Sequence, residues 1–195
     1  MEITLLVRTS YRPLLFKRML DSILAQTHKN IKIIVSYDDE RALDYIPEEL
    51  QKVRVHKDQS IPFFFDNYCN TLKSLVNSGY FMFLDDDEQL ASNNCIENIC
   101  KHLKNSYGVI CQFSRNGKLK PSNEFIKGRR IVRSKIGMPC LFLHHSCKHV
   151  ADFDGSAGAS DYRWIKDVAN HVKLGFVPVV VAFADRRSNG VLEQT

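Results

Sequence analysis

The 195-residue chain contains no CxxC pair. Its cysteines, Cys69, Cys95, Cys100, Cys111, Cys140 and Cys147, fall at irregular spacings inside apolar or helical patterns, which argues against a zinc or disulfide framework and predicts reduced thiols. It shows no basic and apolar leader, and no apolar stretch approaches the ~20 residues of a membrane span, so a soluble, cytoplasmic protein without an integral membrane segment is expected. The loop after the first apolar run, Arg8-Thr9-Ser10-Tyr11-Arg12, has no glycine, so its backbone is poorly suited to approach a triphosphate. Charge of one sign is also scarce: a net +5 favours anionic partners such as phosphates but is too small to demand nucleic acid. With 44% hydrophobic and 25% charged residues, the composition suits one globular core, and a single domain over 1–195 is expected.

What is present is an abrupt junction, Phe81-Met82-Phe83-Leu84 followed by Asp85-Asp86-Asp87-Glu88. Concentrated carboxylates repel one another unless a cation holds them together. In an extended segment alternate side chains share a side, so Asp85 and Asp87 point together and Asp86 points away. Such a pair suits Mg²⁺ or Mn²⁺ with coordination positions left for a diphosphate. The bland alternative is a solvated acidic turn after a strand.

Periodicity predicts an α/β order. Strands are expected over 3–7, 31–37, 53–55, 80–84 and 109–113. Helices are expected from Pro13, with Phe16, Leu20, Ile23 and Leu24 on one face, then around 47–51, over 64–77, and from a cap at 92–94 to about 105. Such alternation gives a mostly parallel sheet whose ligands bind beyond the strands' carboxyl ends, where the loops at 8–12, 38–40 and 85–88 would meet. Residues 115–135 differ, with Arg115, Lys118, Lys120, Lys127, Arg129, Arg130, Arg133 and Lys135 against Glu124 alone, and suggest an exposed, mobile excursion. Short strands at 141–143 and 149–150, a flexible segment at 155–160, a helix over 161–173 and a strand over 176–183 complete the pattern. Trp164 shares an apolar helical face with Val168 and Val172, which favours a core position over sugar stacking.

Two stretches resemble glycosyltransferase family 2, whose fold is GT-A in the nucleotide-diphospho-sugar transferase superfamily. They are Leu20-Asp21-Ser22-Ile23-Leu24-Ala25-Gln26-Thr27 and the run from Asn77 through Gly79 into Asp85-Asp86-Asp87. The resemblance implies a Rossmann-like, mostly parallel central sheet flanked by helices, with a small additional β element in the second half. It divides the domain into a nucleotide-binding half (1–113) and an acceptor-binding, catalytic-base half (114–195). It further implies metal-dependent, inverting transfer of a sugar from a UDP-linked donor to a hydroxyl on a glycan, glycoprotein or other acceptor.

Carried over by residue, Arg8 and Thr9 would line the nucleobase pocket. Asp38 would accept from the base, with Asp39 as the neighbouring candidate. Asp85 would lie near the ribose and share Mn²⁺ or Mg²⁺ with Asp87, the principal ligand, and Asp86 is counted with the donor-contacting residues. Asp161, preceded by Ser160 where the family has Glu, would be the general base. Arg186 and Arg187 would contact the diphosphate in place of a histidine, and Asp66 and Asn67 stand where the family has polar residues near the uridine or sugar.

Alternatives remain open on the residues alone. They are a sugar nucleotidylyltransferase, a non-catalytic nucleotide-sugar-binding module, and a basic nucleic-acid-binding protein, the last disfavoured because Phe125 is the only aromatic in 115–135. A zinc site at Cys140, His144, His145, Cys147 and His149 fits no common spacing. The chain is short for such an enzyme, which suggests one module of a longer polypeptide or a partner that completes the acceptor site.

Overall fold

The computed structural model describes residues 1–184. The arginines at 186 and 187, expected at the diphosphate, lie outside them. Strand β1 (Ile3–Thr9) is buried along nearly its whole length, the continuous apolar pattern of a strand covered on both faces. It is followed by α1 (Pro13–Leu24), β2 (Ile31–Tyr37), β3 (Gln51–Arg54), α2 (Phe65–Ser74) and β4 (Tyr80–Phe83). Strand β1 pairs in parallel with β2 and β4, and β2 with β3. Gly79 makes the entry to β4 possible: its φ is +63°, and a Cβ there would lie 2.2 Å from the Glu2 carbonyl oxygen.

The second half is less regular. It comprises β5 (Gln89–Leu90), α3 (Cys95–Leu103), β6 (Gly108–Arg115), β7 (Lys118–Lys120), α4 (Asn123–Lys127), β8 (Leu141–His144), α5 (Ser160–His171) and β9 (Gly175–Phe183). The described strands form one sheet in the order β3-β2-β1-β4-β8-β6-β9-β5, with β7 added to β6. Strand β8 runs antiparallel to both β4 and β6, so the sheet is parallel on one side and mixed on the other.

Trp164 is core: 2% exposed, stacked on Phe153 at 4.6 Å and edge-on to Phe83 at 5.6 Å, with its indole N–H donating to the Ala151 carbonyl. It thereby supports the strand that delivers the acidic run.

Three local expectations fail. The helix around 47–51 is a single turn, closed by Leu50 N–H donating to the Pro47 carbonyl, because Gln51 is already paired with Ile34 in the sheet. A 3-10 turn forms instead at Glu40–Asp44, started by the Asp39 carboxylate accepting from Arg41 N–H. Residues 149–150 form no strand, since the chain there leaves a 3-10 turn at His145–Cys147. The basic excursion is not loose. Buried Gln112 donates from Nε2 to the Pro121 carbonyl and Asn123 Oδ1, Ile126 is buried, and Arg129 donates to the Leu174 carbonyl, while the cations along it stay largely at the surface.

Candidate active site

Parallel register sets the site. Thr9 lies beside Tyr37 and Leu6 beside Phe83, so the segments that follow β1, β2 and β4 emerge along one edge. Leu84 N–H donates to the Leu6 carbonyl, continuing the pairing to the threshold of the acidic run. At this edge lies a cavity of about 400 Å³. Arg8, Thr9, Asp38, Asp85, Asp87 and Glu88 line its first-half side, and Phe113, Arg115, Gly137 and Asp161 its second-half side.

The three aspartates of the run have different surroundings. Asp85 takes a two-pronged contact from Arg8, Nε to Oδ1 at 2.8 Å and Nη2 to Oδ2 at 2.5 Å. Burial works against the Arg8 charge, but Asp85 holds its pKa well above the ordinary arginine value. Asp86 is fully buried and does not line the cavity: it accepts from Thr9 Oγ1 at 2.6 Å and pairs with Arg12. Burial pushes its carboxyl up to about 7 against the pull of Arg12. Asp86, counted with the donor-contacting residues on sequence, is thus corrected: the chain after β4 is a turn at Asp86 and Asp87, closed by Glu88 N–H donating to the Asp85 carbonyl, and it carries the Asp86 carboxylate into the fold toward Thr9 and Arg12. Asp87 lines the cavity, with Arg12 Nη1 3.9 Å away.

Asp38 also lines the cavity. Its Oδ2 accepts from the Tyr68 hydroxyl at 3.0 Å, while Oδ1 is buried without a hydrogen-bond partner among the described residues. An unsatisfied buried carboxylate oxygen is costly, and its presence at a cavity invites a donor from a ligand. Asp39 does not line the cavity. It caps the 3-10 turn and pairs with Arg41, which holds its carboxyl below the ordinary value, so of the two only Asp38 faces the cavity.

Asp161 lies on the opposite side, in the first turn of α5. Burial raises its pKa, partly offset by the Tyr162 backbone N–H donating to Oδ1 at 2.7 Å. The segment before it is held by α2. Asp66 accepts from Gly155 N–H, Asn70 exchanges hydrogen bonds with the Phe153 backbone, and buried Lys73 donates to the Lys148 and Ala151 carbonyls and pairs with Asp152. These positions are four and three residues apart, one face of a helix. Asp66, expected near the donor, is instead a clamp on the approach to Asp161, and the segment at 155–160 is tied at Gly155.

Sequence reasoning missed Arg12, Tyr68, Lys73 and Glu88. Glu88 lines the cavity, accepts from Asp85 N–H, and is pushed well above the ordinary glutamate value by burial and then by Asp85 and Asp87. Only the apolar setting of Lys73 within α2 gave a usable signal, as a cation on a helical face with Cys69, Leu72 and Val76 needs a buried partner.

Among the described residues no group of three or more His, Cys, Asp or Glu is arranged to hold a metal ion by itself, which includes the histidines and cysteines at 140–149. The carboxylates at the cavity fit a different arrangement. Mg²⁺ or Mn²⁺ commonly takes one or two carboxylates and completes its shell with water and substrate phosphate, and Asp87 supplies a hard oxygen donor facing the cavity.

The sequence profile of glycosyl transferase family 2 matches residues 10–151. The chain belongs to that family. Among solved structures, residues 1–349 of S. aureus TarS align with a TM-score of 0.74 at 13% identity, covering 95% of this chain and 60% of that one. The same region of TarS in complex with UDP-GlcNAc gives 0.74 at 12% identity, covering 96% and 59%. The mannosyltransferase PcManGT from Pyrobaculum calidifontis, in complex with GDP-Man and Mn²⁺, gives 0.67 at 16% identity, covering 93% and 56%. The fold of this family 2 chain is therefore GT-A, and the chain spans well under two thirds of each neighbour's length. No curated protein sequence matches it.

Proposed function

We propose that this protein transfers a sugar from a nucleotide-diphosphate donor, UDP-linked, to a hydroxyl acceptor, with inversion at the anomeric carbon. The observation that carries the reading is the pairing across one cavity of Asp38, with its partnerless buried Oδ1, and the half-buried base candidate Asp161. Uracil N3–H is a donor of the right kind for Asp38 Oδ1, and the Tyr68 hydroxyl fixes the other oxygen so that the carboxylate is pre-aimed. Arg8 fixes the carboxylate of Asp85, which would contact the ribose of the donor.

Asp87 would hold Mn²⁺ or Mg²⁺ together with donor phosphate oxygens; Asp85 joins it only by yielding part of its contact with Arg8. Bound there, the cation supplies charge neutralisation for the departing diphosphate. The acceptor oxygen forms its bond to the anomeric carbon as the bond to the diphosphate oxygen breaks and that oxygen keeps the electron pair. The acceptor's proton passes to Asp161. A pKa raised by burial brings this carboxylate nearer the operating pH, which makes it a stronger base than a solvated aspartate. The neighbours in complex with UDP-GlcNAc and with GDP-Man and Mn²⁺ support a nucleotide-sugar donor, and the glycine-free loop 8–12 speaks against nucleotidyl transfer.

The test is nucleotide release from a panel of UDP- and GDP-sugars with Mn²⁺, Mg²⁺ or chelator. The reading expects cation-dependent UDP release that Asp87→Ala abolishes. Release at an undiminished rate from Asp87→Ala, or from no nucleotide sugar at all with the unchanged protein, would defeat it.

A further inference from the structure

The wall of the cavity beside Asp161 carries positive charge that the proposed donor chemistry does not use. Strand β6 ends at Arg115 and turns through Asn116 and Gly117 into β7. The register is unbroken: Phe113 faces Lys120, Ser114 faces Leu119 and Arg115 faces Lys118. Residues directly opposite in an antiparallel pair project to the same side, and alternate residues along a strand share it. Phe113 and Arg115 both line the cavity, so Lys118 and Lys120 stand on that same face of the hairpin.

None of these three cations has a carboxylate ion pair among the described residues, whereas Arg8, Arg12, Arg41, Arg54, Lys73 and Arg163 all do. Lys120 is also crowded by like charge. Burial, then the like charges of Arg115 and Lys135, hold the Lys120 ammonium below its ordinary pKa, with Asp161 pulling the other way. The hairpin is anchored at its base by buried Gln112, so the charges are held at the cavity's edge rather than carried on a loose loop.

We infer that the acceptor bears a phosphate or carboxylate near its reacting hydroxyl, and that Arg115, Lys118 and Lys120 bind this anion beside Asp161. The inference rests on the transferase reading above and extends it to the acceptor's chemical class. A matching anion would relieve the crowding of Lys120, and forked contacts from Arg115 would orient the acceptor. A neutral acceptor would leave that crowding unrelieved.

The experiment uses the full chain with UDP and Mn²⁺ present, so that the donor side is filled, and titrates glucose, glucose 6-phosphate and glucuronic acid by calorimetry. The expected result is that at least one of the two charged sugars binds about tenfold or more tightly than glucose. The preference should disappear in Lys118→Gln/Lys120→Gln while UDP affinity stays within about twofold. A preference for glucose 6-phosphate alone assigns a phosphate, and for glucuronic acid alone a carboxylate. Equal binding of all three sugars, or a preference that survives in the double variant, overturns the inference. A parallel fall in UDP affinity overturns it too, since the cations would then serve the donor's diphosphate. No UDP binding to the unchanged protein would remove the transferase reading along with it, whereas UDP binding without any anion preference removes this inference alone.

Discussion

The two sides of the cavity treat charge in opposite ways. On the first-half side the arginines meet carboxylates before any ligand arrives, Arg8 on Asp85 and Arg12 on Asp86. On the hairpin side Arg115, Lys118 and Lys120 have no carboxylate ion pair among the described residues. Paired charges inside a partly dry edge lock geometry and leave little to gain from a new ion, while unmatched charges are held ready for one. The first side is therefore built as a fixed floor, in which Asp86 is a structural member and Asp87 and Asp38 are the working groups of the proposed function. The second side is built as a receiving wall around Asp161.

Among variants that leave UDP binding intact, the largest effect should come from the receiving wall's base. Asp161→Asn should lower transfer by about 10²–10⁴-fold while leaving UDP affinity within about twofold, as expected for a group used only in the reaction. Because burial raises the Asp161 pKa, and the base works only when ionised, the acidic limb of the rate profile should lie above the ordinary aspartate value and vanish in the variant. A variant with undiminished transfer would erase the distinction between floor and wall.

The floor should divide by stability. Asp86→Ala leaves Arg12 and the Thr9 hydroxyl without their shared acceptor and should cost about 3 kcal/mol, or roughly 10 °C in Tm. Asp87→Ala should change Tm by no more than about 2 °C and yet abolish cation-dependent release. Equal melting temperatures for the two would contradict the roles given to them. Lys73→Met, which strips donors from two carbonyls on the approach to Asp161, should cost about 2 kcal/mol and lower turnover without weakening UDP. The smallest effect is expected from Tyr68→Phe, a loss of about three- to tenfold in UDP affinity with Tm nearly unchanged, measured by calorimetry.

How much of this was legible in the sequence follows the same division. The strands at 3–9, 31–37 and 80–83 lie in the parallel part, where burial on both faces writes short apolar runs such as Leu5-Leu6-Val7, Ile33-Ile34-Val35 and Tyr80-Phe81-Met82-Phe83, and the residues after them are placed by the topology alone. The separation of Asp86 from Asp85 and Asp87 matches the expectation from an extended segment, but a turn at Asp86 and Asp87 produces it, and the partner Arg12 comes from another loop. In the second half the pattern was weaker. Strand β8 runs against its neighbours, and the basic stretch hides a hairpin and a short helix beneath surface charge, held by Gln112, a residue whose role depends on contacts nine and eleven positions away. The clamp of Asp66, Asn70 and Lys73 on 148–155 is a pairing of segments some 75 to 89 residues apart, for which a single sequence carries no signal beyond the need of Lys73 for a buried partner.

The most direct test of nucleotide-sugar chemistry at this cavity is a calorimetric titration of UDP, with Mn²⁺, into the unchanged protein and into Asp38→Ala. Saturable one-site binding that weakens at least about tenfold in the variant is the predicted result. Absence of binding to the unchanged protein, or equal affinity in both, would contradict it.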